Sequence, residues 1–194
     1  MAKATKEKKL QIIKAAAKRF DKHGLAKTTL NEIARDLRIG KATLYGYFSS
    51  KEELFFSVLN WEGSQYLDEI KSIFEKEEVP MRERFGEYFN SKENISQRYK
   101  VLNDSLLLLL DDKGLENEIT FVKNLLNEEE ELIRSVLIKT KGMKESAVDP
   151  ELPTFMVLKS WGLNFSLKLK SFSSPDKIPD FNKILLKLID VYLN

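Results

Sequence analysis

Lys41, Ala42, Thr43, Tyr45 and Tyr47 crowd into the stretch GKATLYGYFSSKEEL, residues 40–54, and Lys51 follows on the next turn. An ammonium, a threonine hydroxyl and tyrosine hydroxyls are donors to phosphate oxygens, and Lys or Thr also reaches base edges. This is the chemistry of holding a polyanion, not of breaking a bond. Bond-breaking chemistry finds little support elsewhere. The chain has no cysteine, which excludes thiolate nucleophiles, thiolate metal sites and disulfides. Its one histidine, His23, stands beside Gly24 at an expected helix end, where an imidazole acts as a cap or dipole partner. The acid run Glu128–Glu131 reads as the wet face of a helix, since adjacent helical residues do not converge on one ion. No catalytic residue, metal or cofactor is expected.

Charge supports a polyanion partner. Residues 1–51 hold thirteen Lys or Arg against four acids, a surplus of nine. The whole chain of 194 residues is at +2, so residues 52–194 carry a deficit of seven. A basic quarter joined to an acidic remainder suggests two jobs. The longest apolar run, Leu106–Leu110, is far too short to span a bilayer, and no secretory leader is expected, since no long apolar run follows MAKATKEKKL. A cytoplasmic protein without a membrane partner is expected.

The elements that position these donors are helices. Apolar residues recur at helical spacing, with little strand-like alternation. Leu10, Ile13, Ala17 and Phe20 mark a first helix that His23-Gly24 should stop. Thr29-Leu30-Asn31-Glu32 is a capping box opening a second helix, with Ile33, Ala34 and Leu37 turned inward. After a short turn, a third helix runs from about Gly40 to Tyr47, with Leu44 and Phe48 facing the core. Ser50-Lys51-Glu52-Glu53 is a second capping box. Further helices are predicted over 50–77, 80–91, 94–111, 114–141, 151–172 and 177–193.

Two short helices joined by a tight turn and packed on a longer one make a helix-turn-helix. Its second helix enters the major groove. Lys41, Ala42 and Thr43 then occupy the first turn of that helix, where residues meet base edges and backbone N–H groups meet phosphate. Tyr45, Gly46 and Tyr47 face partly outward, and Lys51 aims its charge at the backbone.

The segments IIKAAAKRFDKHG, TTLNEIARDLRIGKATLYGYF and SKEEL, spread over residues 8–60, resemble the DNA-binding domain of the TetR family of bacterial transcriptional regulators. The resemblance implies an all-α, nine-helix fold. Residues 1–49 would be the helix-turn-helix domain and 50–194 a ligand-binding and dimerisation domain. It implies a homodimer, most often a repressor, on a near-palindromic double-stranded operator, released by a small effector. By position, Thr28 and Thr29 start the second helix and touch phosphate. Lys41, Ala42, Thr43, Tyr45, Gly46 and Tyr47 match the recognition helix, and Lys51 the phosphate-binding lysine. Arg38 stands where the family usually has Gly, which predicts either a positive φ repaid by a phosphate contact or a slightly different turn.

The acidic remainder supplies the effector site and the dimer. Trp61, Tyr66, Tyr88, Tyr99, Asn103, Leu107, Phe121, Trp161, Asn164 and Phe165 are the candidate lining, and Ser105 and Ser160 are further polar positions. Such a mixture suits a lipophilic effector. The stripes Trp161, Phe165, Leu169 and Phe181, Leu185, Leu188, Tyr192 would pair with their symmetry mates as a four-helix interface. A long fourth helix starting at Ser50 would carry effector binding to the DNA, with Gly63 as a possible bend.

Overall fold

The computed structural model describes residues 2–110, 116–141, 149–169 and 181–193. They form ten helical segments and no strand: α1 Ala2–Lys27, α2 Leu30–Asp36, α3 Lys41–Tyr45, α4 Lys51–Phe74, α5 Met81–Glu93, α6 Ile95–Arg98, α7 Lys100–Leu110, α8 Glu116–Lys141, α9 Leu152–Leu169 and α10 Phe181–Leu193. The four-residue α6 is a single turn leading into α7, and setting it aside leaves the nine helices expected. None of the described helices is long and apolar enough to cross a membrane.

The helix boundaries follow from local chemistry. Gly24 takes φ 73°, ψ 167°, so the regular part of α1 ends at His23 as predicted. Thr29 caps α2 with both halves of its box in place: Glu32 N–H donates to Thr29 Oγ1, and Thr29 N–H donates to the Glu32 carboxylate. The second box is shifted. Ser50 Oγ accepts from Glu53 N–H at 3.0 Å, but the Glu53 carboxylate reaches past Ser50 to the backbone N–H and hydroxyl of Ser49, both at 2.7 Å. Arg38 has φ 53°, the only positive φ at a non-glycine among the described residues. The predicted helix over 94–111 is interrupted at Tyr99.

Contacts divide the chain into two compact units. The first comprises residues 1–65 and 99–119. Here α1 packs on α2 and α7, and α2 on α3. Its core is Ile12, Ala16, Phe20, Leu30, Ile33, Leu44, Phe48, Leu54 and Phe55, with the Phe20 and Phe55 rings edge to face at 5.5 Å. Ala17 and Phe20 are buried as predicted and Ile12 and Ala16 join them, while Ile13 is half-buried and Leu10 is exposed. Arg19 pins α1 to α2, donating to Asp36 at 2.6 and 3.0 Å and pairing with Glu32 at 3.3 Å. The second unit comprises 66–98 and 120–194, with α5 packed against α9 and α10. Phe74, Phe85, Tyr88 and Phe89 stack around one another with centroids 5.1–6.5 Å apart.

Candidate nucleic-acid interface and effector site

The helix predicted to read DNA is α3. Gly40 caps it with no side-chain acceptor, so its first-turn N–H groups meet no capping side chain. Lys41, Ala42 and Thr43 are all exposed there. Leu44 and Phe48 are fully buried, as predicted, and fix the helix on the core. Tyr45 is exposed, with Lys41 Nζ 5.5 Å above its ring, and Tyr47 is half-buried. Gly46 closes the helix, and a Cβ there would sit 3.3 Å from the Thr43 carbonyl oxygen, tighter than an ordinary contact. Thr29, Arg38 and Gly46 are exposed as well.

Two members of the predicted set are placed differently. Thr28 is only 1% exposed; its hydroxyl donates to the Gly24 carbonyl at 2.8 Å. Its side chain therefore serves the α1–α2 corner, because the break at Gly24 leaves carbonyls needing donors. Lys51 is half-buried, and its Nζ donates to the Leu25 carbonyl at 2.9 Å. A lysine at a helix C-terminal carbonyl is held by both hydrogen bond and dipole. Both side chains thus end on the carbonyls of two consecutive residues, Gly24 and Leu25.

Tyr66, Tyr88 and Trp161 meet in the second unit, around a pair that sequence reasoning missed. Lys92 and Glu129 are both wholly buried, Nζ to Oε1 2.5 Å. Tyr88 OH donates to Glu129 Oε1 at 2.6 Å and Trp161 Nε1 to Oε2 at 2.8 Å. Lys92 also donates to Tyr66 OH. The rings of Trp161, Tyr66 and Tyr88 lie 4.1, 4.6 and 5.0 Å from the ammonium. Burial pulls Lys92 down to about 8, against the opposing pull of Glu129, and burial beside Glu129 pushes both tyrosines well above 10.0. Two expectations are corrected here. Glu129 is the centre of a buried network, not part of a wet face, and Trp161 is locked into the core, not offered to a symmetry mate. Ser160 is tied to Tyr88 OH at 3.0 Å and donates to the Val157 carbonyl.

Asn103 is buried in the first unit and donates to Asp104 at 3.2 Å. Tyr99 OH donates to the Gln65 carbonyl at 3.3 Å. Trp61 is half-buried, with Lys14 Nζ 5.9 Å from its ring, and Phe121 is half-buried on α8. The side chains of Asn164 and Phe165, and of Leu169, Phe181, Leu185, Leu188 and Tyr192, lie outside the described residues. Two predicted residues, Ser105 and Leu107, line a cavity of about 570 Å³ in the first unit, with Phe20, Gly24, Leu25, Phe55, Val101, Asp104, Leu108 and Glu118. Glu62, on α4, is buried, and its carboxylate accepts the Leu102 N–H at 2.9 Å in the first turn of α7. Burial raises Glu62 to about 7.

No group of three or more His, Cys, Asp or Glu among the described residues could hold a metal ion. Residues 12–58 match the family model described as bacterial regulatory proteins, tetR family. YhgD of Bacillus subtilis, an uncharacterised HTH-type transcriptional regulator, is 29% identical over 162 residues, covering 79% of this chain and 80% of YhgD. YuxN of the same organism, also an uncharacterised HTH-type regulator, is 39% identical over 75 residues; that match covers 39% of this chain and only 26% of YuxN. Two solved structures share the fold at low identity. E. coli NemR in its reduced form has a TM-score of 0.70 at 14% identity, covering 94% of this chain and 95% of that one. FadR from Bacillus subtilis, solved in complex with stearoyl-CoA, has a TM-score of 0.64 at 16% identity, covering 95% and 97%.

Proposed function

The chain belongs to the tetR family of bacterial regulatory proteins, and we propose that it is a ligand-responsive repressor that binds a near-palindromic operator as a homodimer. It is a binding protein, not an enzyme. The reading is carried by α3: an exposed Lys41-Ala42-Thr43 turn at the start of a short helix whose Leu44 and Phe48 anchor it to the core. Thr43 reads a base edge or thymine methyl, and Lys41 a guanine or a phosphate. Thr29, Arg38 and Tyr47 hold the flanking phosphates, with Tyr45 beside them. Lys51 joins them by exchanging its bond to Leu25 for one to DNA. Residues 1–49 read the operator and 50–194 carry the response and the dimer.

A dimer is needed because two recognition helices must meet half-sites about 35 Å apart, one turn of DNA. Phe155 and Leu158 on α9, and Ile184 and Val191 on α10, are large apolar side chains exposed on the single chain. They supply a self-complementary surface on the last two helices. A small lipophilic effector that binds the form unable to grip the operator would release it. FadR, solved with stearoyl-CoA, is a regulator of this fold with a lipid-tailed ligand.

The test is selection of DNA from a random pool by the purified protein, followed by affinity against salt concentration. A palindrome with one dimer bound, and affinity falling steeply with salt, is the expected result. Lys51→Ala should weaken binding to every sequence, and Thr43→Ala should alter preference at one base pair of each half-site. Binding that no selected sequence improves, or none at any salt, would overturn the proposal in favour of a regulator acting through a protein partner.

A further inference from the structure

The cavity of about 570 Å³ in the first unit lies against the end of α1. Its walls are apolar: Phe20 and Leu25 of α1, Phe55 of α4, and Leu107 and Leu108 of α7. That volume is in the range of sites for small organic ligands. Its polar lining is acidic. Asp104 and Ser105 of α7 and Glu118 of α8 face it, and no basic side chain stands among its described lining residues. Glu118 is 3% exposed, with Ser105 Oγ donating to its Oε1 at 3.3 Å. An apolar chamber with carboxylates in its wall favours a cation with an apolar body. An anion would meet like charge there.

The same cavity touches the DNA-facing side directly. Gly24 and Leu25 line it, and their carbonyls are the acceptors for the Thr28 hydroxyl and the Lys51 ammonium. A ligand that shifts this two-residue corner moves the anchor of the phosphate-binding lysine and the start of α2. We propose that this cavity binds a small amphiphilic organic cation, and that its occupancy is passed to the DNA contacts through the Gly24–Leu25 carbonyls. The second half rests on the reading of the chain as an effector-controlled DNA-binding protein; the first does not.

The two parts are separated by titrating the full chain calorimetrically with decyltrimethylammonium, decanol and decanoate, which share a tail and differ in charge. Each probe is kept below its micellar concentration. Operator affinity is then measured with each probe. The cation should bind at least about tenfold more tightly than decanoate. Glu118→Gln and Asp104→Asn should narrow that gap, and Leu107→Trp, which fills the chamber, should weaken all three probes. Asp104 is exposed, so its substitution carries the test if the Glu118 variant fails to fold. Decanoate binding as well as the cation, or cation binding untouched by Leu107→Trp, would overturn the assignment. Cation binding that leaves operator affinity unchanged would overturn the coupling. A chain that shows the charge preference but selects no DNA would refute the regulatory reading and leave the cavity's chemistry standing.

Discussion

Replacing Glu129 alone should be far more damaging than replacing it together with Lys92. Glu129 accepts from Lys92 at 2.5 Å, Tyr88 at 2.6 Å and Trp161 at 2.8 Å, with no exposed surface on either charged partner. Glu129→Leu strands the ammonium and the indole N–H, while Tyr88 keeps Ser160. Breaking a buried ion pair from one side costs about 3–5 kcal/mol. An orphaned buried N–H adds about 1–3 kcal/mol. The sum, about 4–6 kcal/mol after allowing for relaxation, rivals the whole stability of many domains. In Lys92→Met/Glu129→Leu no charge remains, and the loss should shrink to about 1–2 kcal/mol, because apolar replacement of a buried pair is often neutral. Urea unfolding reads this directly: with a slope of about 2 kcal/mol per molar, the single variant moves the midpoint by about 2 M or more. Lys92 also predicts a pH signature in the parent chain. Its folded value of about 8 lies below its ordinary 10.5. Between these values the unfolded chain holds more protons, so this contribution to stability rises with pH, and below about 8 the cost is fully present. A single variant that loses less than about 1 kcal/mol, or a double variant as damaged as the single, would refute the view that pairing, and not packing, governs this site.

Glu62 gives the opposite pH dependence. Its folded value of about 7 lies above its ordinary 4.5, so its contribution is full below about 4.5 and is lost as pH rises through 7. The parent should lose about 2.5 kcal/mol between pH 5 and 8 relative to Glu62→Gln, read as urea midpoints at those two values. Arg38→Gly should raise stability by about 1 kcal/mol by relieving the positive φ. The same change should weaken operator binding in a filter or anisotropy assay; a change of the same sign in both would refute the phosphate role. Leu158→Glu and Val191→Glu place charges on exposed apolar positions of α9 and α10. Each should shift the chain from dimer to monomer in sedimentation while leaving its helical content unchanged.

Much of the DNA-facing segment was legible because its determinants are local. The Thr29 box, the stop at Gly24, the burial of Leu44 and Phe48 and the positive φ of Arg38 each depend on a few neighbouring residues. Thr28 and Lys51 end on carbonyls freed by the break in α1, contacts that a list of side chains does not display. The effector residues were chosen by type, and type does not say which unit a residue joins. Yet the buried charges did leave a trace. Val122, Leu125, Ile133 and Val136 form the buried stripe of α8, and Glu129 stands where its next apolar residue should be. Lys92 continues Phe85, Tyr88 and Phe89 in the same way, and Glu62 lies between Leu59 and Tyr66. A charge in register with an apolar stripe marks a buried partner more reliably than a run of like charges marks a wet face. The partner itself, 37 residues away for Lys92 and Glu129, depends on the packing of α5 against α8 and cannot be read from either stripe.

The size of these contacts bears on how the effector acts. Coupling between two sites is typically about 1–3 kcal/mol. A single hydrogen bond to a charged group is worth about 1.5–3 kcal/mol. Strengthening the hold of the Leu25 carbonyl on Lys51, the bond that the lysine must exchange for DNA, is therefore enough to supply a normal allosteric response, without a long lever in α4. The surrounding contacts favour the short route. At the start of α7, Lys100 pairs with Asp21 of α1 at 2.8 Å and Glu62 of α4 holds the Leu102 N–H. Val101, between the two clamped residues, and Asp104, two residues beyond Leu102, line the cavity with Gly24 and Leu25. A ligand there meets α1 and α7 where α7 is tied down, so the strain of binding falls on the corner that holds Thr28 and Lys51. It follows that Lys51→Met, which removes the switched bond, should lower operator affinity and blunt its response to decyltrimethylammonium together, whereas loosening the α7 clamp with Lys100→Ala should blunt the response alone.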